Sequence, residues 1–227
     1  MTRIDFHTHI LPKMDDGSQS VNESRQMLQI LKNDGVSAVA LTPHFYPANE
    51  TPESFFKRRK ASYQHLMQEC GDMGIEFLLG AEVAYFEGMR TCEHIPDLTI
   101  RGTGILLIEM PPCRWTERMF SEIKLLSQRF KITPMLAHID RYRLSASERR
   151  LLINFVENGG CVQVNSESFT HWLSAGRLLK MMKTGLVHVL GSDCHNMKNR
   201  PPTIGKAFDR IEAADSDLSL RLEQIQN

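Results

Sequence analysis

His7 and His9 stand two residues apart after the apolar run Arg3–Phe6, and Asp15, Asp16 and Gly17 follow in the next turn. His44 follows a second apolar run, in Thr42-Pro43-His44, and Glu82 a third, in Gly80-Ala81-Glu82. Glu109 closes a fourth, His138 a fifth and Asn165 a sixth; a seventh leads to Asp193 and His195. In an extended chain a His-x-His pair aims both imidazoles to one side. Imidazole and carboxylate without thiolate suit Mn, Fe or Zn rather than copper or structural zinc. His7, His9, Asp16, His44, Glu82, Glu109, His138, Asp193 and His195 exceed what one ion uses, so two or three divalent ions are expected.

Three divalent ions would outweigh the carboxylates of Asp16, Glu82, Glu109 and Asp193 by about two charges, which favours an anionic substrate. Such a cluster can turn water into a hydroxide nucleophile and clamp both oxygens of an in-line displacement at phosphorus. Arg141 lies three residues after His138 and Arg200 five after His195. Guanidinium forks match phosphate oxygens, so both are candidate phosphate-binding residues.

The elements that must position these groups follow from periodicity. Strand-like runs are Arg3–Phe6, Ser37–Leu41, Glu76–Gly80, Gly104–Ile108, Lys131–Ala137, Cys161–Val164 and Leu186–Gly191. Most lack polar alternation, as strands buried on both faces do. Helix-like segments span roughly 20–34, 52–73, 116–130, 146–158, 172–184 and 203–213. Thr51-Pro52-Glu53 reads as a helix start, and Ser145 with Glu148 as a capping box. Strand–helix alternation of this length implies parallel strands covered by helices, in a barrel or an open doubly wound sheet. Ligands from all seven strand ends meet far more easily at one mouth of a barrel.

Composition sets the outer bounds. The 227 residues suit one domain, 1–227, and the 27 basic and 27 acidic residues cancel, which gives no bulk field for nucleic acid. No apolar run reaches the ~20 residues of a membrane helix, and the start MTRIDFHTHI lacks a signal-peptide core. Five scattered Cys form no CxxC pair, so a reducing cytoplasm is expected.

Other features have plainer readings. His65, His94 and His171 are expected at the surface or rim and His188 within a strand; Lys57-Arg58-Arg59-Lys60 reads as a solvated helix face. Phe45, Tyr46, Tyr85, Phe86, Trp115, Phe169 and Trp172 follow strand ends, and either line a slot for an aromatic leaving group or pack the rim. Asn165 either orients a ligand or phosphate, or caps its strand. Cys194 and Arg200 match a Cys-x5-Arg thiol-phosphatase spacing. The loop between them has no Gly and Pro201 follows it, so it is poorly suited to wrapping phosphate in N–H groups.

These residues resemble the PHP (polymerase and histidinol phosphatase) superfamily, and within it the bacterial manganese-dependent tyrosine phosphatases of capsule and exopolysaccharide loci. The matching pieces are Asp5-Phe6-His7-Thr8-His9-Ile10-Leu11-Pro12, Asp15-Asp16-Gly17-Ser18, Thr42-Pro43-His44, Gly80-Ala81-Glu82, Ile108-Glu109-Met110-Pro111, Ala137-His138-Ile139-Asp140-Arg141-Tyr142, Gln163-Val164-Asn165, and Ser192-Asp193-Cys194-His195-Asn196 with Arg200-Pro201-Pro202. Lys13 departs from the pattern, where a glycine is expected.

The resemblance implies a distorted (β/α)7 TIM-like barrel of PHP type with a trinuclear manganese site. His7, His9, Glu82 and Asp193 would hold one metal; Glu82, Glu109 and His138 a second; Asp16, His44 and His195 a third. Arg141 and Arg200 would grip phosphate. The implied reaction is cytoplasmic hydrolysis of phosphotyrosine on a protein, a tyrosine kinase controlling polysaccharide export. The alternatives are a small-molecule phosphomonoesterase of the histidinol-phosphate or nucleotide type and a non-catalytic phosphotyrosine-binding protein.

Overall fold

The computed structural model describes residues 3–218. Its strands are β1 (Arg3–Thr8), β2 (Val36–Leu41), β3 (His44–Phe45), β4 (Glu76–Leu79), β5 (Glu82–Ala84), β6 (Ile105–Glu109), β7 (Thr133–Leu136), β8 (Cys161–Asn165) and β9 (Val189–Gly191). Its helices are α1 (Val21–Asn33), α2 (Pro52–Cys70), α3 (Ile95–Leu98), α4 (Glu117–Phe130), α5 (Ala146–Glu157), α6 (Trp172–Lys183) and α7 (Ile204–Ala214). All six expected helices are present. Thr51 caps α2 through the N–H of Ser54, and Ser145 and Glu148 form a reciprocal capping box on α5, each satisfying otherwise orphaned N–H groups.

Every strand ladder is parallel, in two sheets ordered β1-β2-β4 and β3-β5-β6-β7-β8-β9. The expected seven runs become nine short strands. The second and third break at Pro43 and Gly80, and the residues beyond them, β3 and β5, pair with one another in the other sheet with His44 opposite Glu82. Pro43 has no N–H for a ladder, and a Cβ on Gly80 would lie 3.0 Å from the Ile100 side chain. Two strand starts are corrected as well. Lys131 sits in left-handed backbone (φ 53°) as the C-cap of α4, so β7 begins at Thr133, and β9 begins only after His188.

The main core lies between the strands and the helices, where Met27, Leu28, Phe55, Leu66, Ile123 and Phe208 are fully buried. A smaller cluster sits on the opposite strand face, where Ile4, Phe6, Ala38, Ala40, Leu107, Met135 and Val189 meet. Strands from both sheets contribute to it, so the parallel sheet is curled around an inner core. The edges are joined at the ends of β1 and β9 by His9 N–H to the Cys194 carbonyl (3.0 Å) and Asp193 N–H to the His7 carbonyl (2.7 Å). This curl brings the C-terminal strand ends to one mouth.

Candidate metal centre

The first strand is pinned at its base. Buried Asp5 accepts the N–H groups of His7 (3.3 Å) and Ser192 (2.8 Å), tying the His7 segment to the one that carries Asp193. Burial pushes the Asp5 carboxyl up to about 6 against those hydrogen bonds. Beyond β1 the chain turns back so tightly that a Cβ on Gly17 would lie 2.3 Å from the His9 carbonyl oxygen. That turn places Asp15 Oδ2 2.7 Å from His9 Nδ1 and 2.8 Å from the His44 N–H, while Oδ1 accepts the Gly17 N–H at 2.9 Å.

All nine residues expected as ligands converge. His7 Nε2 and His9 Nε2 are 3.0 Å apart. Glu82 Oε2 lies 3.1 Å from His7 Nε2, 3.3 Å from His9 Nε2 and 2.9 Å from His44 Nδ1. Glu82 Oε1 is 2.8 Å from His138 Nε2, which is 3.5 Å from Glu109. Asp193 Oδ1 is 3.6 Å from His7 and 3.4 Å from His9. Asp16 Oδ1 is 3.5 Å from His44 and 3.4 Å from His195.

The donor atoms gather as His7–His9–Glu82, as His44–Glu82–Glu109, and as His9–Asp16–His44–His195. These overlap the three ligand sets implied by the resemblance. They differ in drawing His44 toward Glu109 and His9 toward Asp16, and in leaving the expected ligands His138 and Asp193 outside all three groups.

The arrangement fits divalent cations. Glu82 Oε2, His44 Nδ1 and His195 Nε2 are buried, crowded by other ligand-type atoms, and make no hydrogen bond. Buried polar atoms of this kind are costly unless something satisfies them. His9 donates Nδ1–H to Asp15, so its Nε2 presents a lone pair; the hydrogen bond to Gln163 Oε1 (3.2 Å) assigns His7 the same tautomer. As neutral imidazoles the two nitrogens would face each other with lone pairs 3.0 Å apart, a repulsion that a shared proton or a divalent cation relieves.

The charges agree with a site that lacks positive charge. Glu82 is fully buried, which opposes its ionisation, yet His7, His138 and His44 hold its carboxyl well below the usual range. Burial likewise opposes the ionised form of Asp193, and His7 and His9 outweigh it. Burial disfavours imidazolium at His138, but Glu109 and Glu82 raise it to about 9. His9 is raised well above its ordinary value by Asp15, again against burial.

Asp193 Oδ2 is the meeting point of the cationic loops. Arg141 contacts it, Arg200 Nη2 lies 2.6 Å away, and Asn165 Nδ2 donates to it at 2.8 Å. Asn165 thus orients a candidate ligand rather than merely capping its strand. Sequence reasoning passed over Gln163 and Asp15 as site residues. The signal for Gln163 was a long polar amide between Val162 and Val164 in a strand buried on both faces, 0% exposed itself. For Asp15 only the neighbouring turn residues hinted at a role.

Several other residues resolve. Phe45, Trp115 and Phe169 are buried and packed into the main core. Tyr46 stacks beside His44 with ring centroids 5.0 Å apart, whereas Trp172 is 72% exposed. His94 pairs with Glu53 at the surface, and His65 and His171 are exposed. Cys194 is fully buried, and burial, with Asp5 and Asp193 nearby, pushes its thiol up; a buried neutral thiol is inert. Lys13 has φ 59°, the left-handed region that glycine adopts without strain.

Comparison with known proteins gives a consistent picture. A family model described as "Capsular polysaccharide synthesis, CpsB/CapC" matches residues 3–221. Tyrosine-protein phosphatase CpsB of Streptococcus pneumoniae is 29% identical over 221 residues, covering 92% of this chain and 89% of that protein. Tyrosine-protein phosphatase YwqE of Bacillus subtilis (strain 168) is 30% identical over 205 residues, covering 87% and 79%. Among solved structures, one from the pair YwqE of Bacillus subtilis and CpsB of Streptococcus pneumoniae, described as unique metal-dependent tyrosine phosphatases, superposes with a TM-score of 0.82. It is 25% identical and covers 97% of this chain and 91% of that one. A dihydropyrimidinase from Brevibacillus agri shares the fold alone, at 11% identity and a TM-score of 0.54 over 98% of this chain and 68% of that one.

Proposed function

The chain belongs to the CpsB/CapC family of capsular polysaccharide synthesis, and we propose that it is a metal-dependent phosphatase acting on phosphotyrosine in a protein. The observation that carries this reading is the convergence of His7 Nε2, His9 Nε2 and Glu82 Oε2 within 3.3 Å of one another. His7, His9, Asp16, His44, Glu82, Glu109, His138, Asp193 and His195 would hold two or three ions. Manganese is the proposed metal, with iron or zinc compatible with the same nitrogen and oxygen donors. Bound divalent ions supply an activated water and neutralise charge on phosphate oxygens.

The chain's own residues do the rest. Arg141 and Arg200, both anchored on Asp193 Oδ2, keep further N–H groups for the phosphate oxygens. Asp193 fixes where those guanidinium groups sit, and Asn165 fixes Asp193. Tyr46, stacked on His44, offers an aromatic wall for a phenolic leaving group.

The proposed architecture is one domain, 1–227, a distorted (β/α)7 barrel of PHP type. The inner cluster drawn from β1, β2, β6, β7 and β9 supports closure, as layers of side chains fill such barrels. No helix among the described residues is long and apolar enough to cross a membrane. A cytoplasmic site of action and a tyrosine kinase of polysaccharide export as the substrate protein complete the proposal.

The test is phosphate release by purified protein, stripped of metal and then reloaded, on phosphotyrosine peptides, histidinol phosphate and mononucleotides. Metal-dependent turnover greatest on phosphotyrosine peptides is expected. Turnover greatest on either small substrate, or phosphopeptide binding without release, would overturn the reading.

A further inference from the structure

Beside the metal centre lies a second cavity of about 360 Å³, whose lining includes Arg114, Trp115, Arg141, Tyr142, Arg143 and Glu148. Its two walls are the loops that follow β6 and β7, the strands that deliver Glu109 and His138. It shares residues with the metal centre. Arg141 contacts Asp193, and the Tyr142 ring stacks on His138 with centroids 5.9 Å apart. The Tyr142 hydroxyl donates to the Met110 carbonyl at 2.6 Å, tying the two loops together.

The charges here are unbalanced. Arg114 and Arg143 are exposed and neither has a carboxylate within ion-pair distance among the described residues, although Arg114 stands near enough to Glu148 to favour its ionised form. Glu148, the one carboxylate in the lining, is already committed. It accepts the N–H groups of Trp115 (3.0 Å) and Ser145 (2.9 Å) and the Ser145 hydroxyl (2.5 Å). Two exposed guanidinium forks without a close ion-pair partner, in a concave site beside the ligand cluster, have the chemistry that binds carboxylate or phosphate.

We propose that this cavity is a second anionic subsite, which takes an acidic or phosphorylated side chain flanking the phosphotyrosine of a peptide substrate. The inference rests on the phosphotyrosine reading above and deepens it to a substrate class. Arg141 stands between the two sites, so the flanking residue and the phosphotyrosine lie on either side of one arginine. An extended peptide advances about 3.3 Å per residue, which places the anionic residue within roughly three positions of the phosphotyrosine.

The experiment uses peptides carrying a non-hydrolysable phosphonate analogue of phosphotyrosine, with Ala, Glu, phosphoserine or Lys scanned through three positions on each side. Binding is read by fluorescence anisotropy to the metal-loaded protein and to an Arg114→Ala/Arg143→Ala variant whose fold is checked by circular dichroism. At one position Glu or phosphoserine is expected to bind roughly five- to tenfold tighter than Ala, and Lys weaker. The preference should shrink with salt and vanish in the double variant; the tighter of the two anions identifies the source. Equal affinities in the parent, no binding of any peptide, or a preference that survives in the folded variant would overturn the subsite. Turnover of p-nitrophenyl phosphate, which has no flank, reports on the phosphatase reading separately. Failure there alongside an intact binding preference would sink the catalytic reading and not the subsite.

Discussion

Gln163 Oε1 lies 3.2 Å from Nδ1 of His7, and the direction of that hydrogen bond is dictated from the far side of the candidate metal centre. The Asp193 carboxylate only accepts, so Asn165 must turn its Nδ2 toward it (2.8 Å). Asn165 Oδ1 then faces Gln163 Nε2 at 2.9 Å, which leaves Gln163 Oε1 to accept the His138 N–H (2.7 Å) and the Nδ1–H of His7. His7 is thereby fixed with its Nε2 lone pair aimed at the cluster. Two amides on one face of β8 couple the candidate ligands Asp193 and His7.

Gln163→Leu keeps the volume but removes the relay. Outer partners of ligating histidines are worth about 10- to 100-fold in metal affinity, and a loss in that range is expected by metal titration and elemental analysis. Gly191→Ala should act on the same device, because its Cβ would lie 2.5 Å from His7 Cβ and 2.8 Å from Gln163 Nε2. About 1–3 kcal/mol of stability should be lost in denaturant unfolding.

Asp15→Asn tests the partner of the other N-terminal imidazole. Asp15 accepts from His9 Nδ1, the His44 N–H and the Gly17 N–H. An amide cannot accept on both ends, so one buried donor loses its acceptor, at a cost of about 1–3 kcal/mol. Lower thermal stability and weaker metal binding are both expected. Retention of parental metal affinity would remove Asp15 from the site.

Metal removal should lower the melting temperature of the parent protein. A ligand that binds only the folded state stabilises it by about 2.7 kcal/mol at a hundred times its dissociation constant. Scanning calorimetry with chelator and then with added Mn should show the transition fall and recover. An unchanged transition would mean that the convergent side chains bind no ion.

Cys194→Ser should leave turnover close to the parental level with metal still bound. The thiol is fully buried and pushed away from ionisation, so it offers no thiolate to attack phosphorus. Abolished phosphate release in a folded, metal-loaded variant would return the thiol to consideration.

Lys13→Gly should raise stability, since residue 13 has φ 59°. Relief of left-handed strain, partly offset by the greater freedom of glycine in the unfolded chain, leaves a gain of roughly 0.5 kcal/mol. That corresponds to a rise of about 1–2 °C for a domain of this size. Lys13→Ala should show no gain.

The sequence by itself determined the alternation of strands and helices, the caps at Thr51 and Ser145, and the nine ligand-type residues, because each is written in residues a few positions apart. Only the tertiary structure decided which of two adjacent carboxylates does which job. Asp15 is turned inward onto His9, while Asp16, with its side chain 69% exposed, reaches His44 and His195. It alone decided that Pro43 and Gly80 would split two strands, that Phe45, Trp115 and Phe169 would be core, and that Arg141, Arg200 and Asn165 would share one oxygen of Asp193. Hydrogen-bond direction and burial depend on neighbours up to 187 residues away, as between Asp5 and Ser192, and no local pattern records such partners.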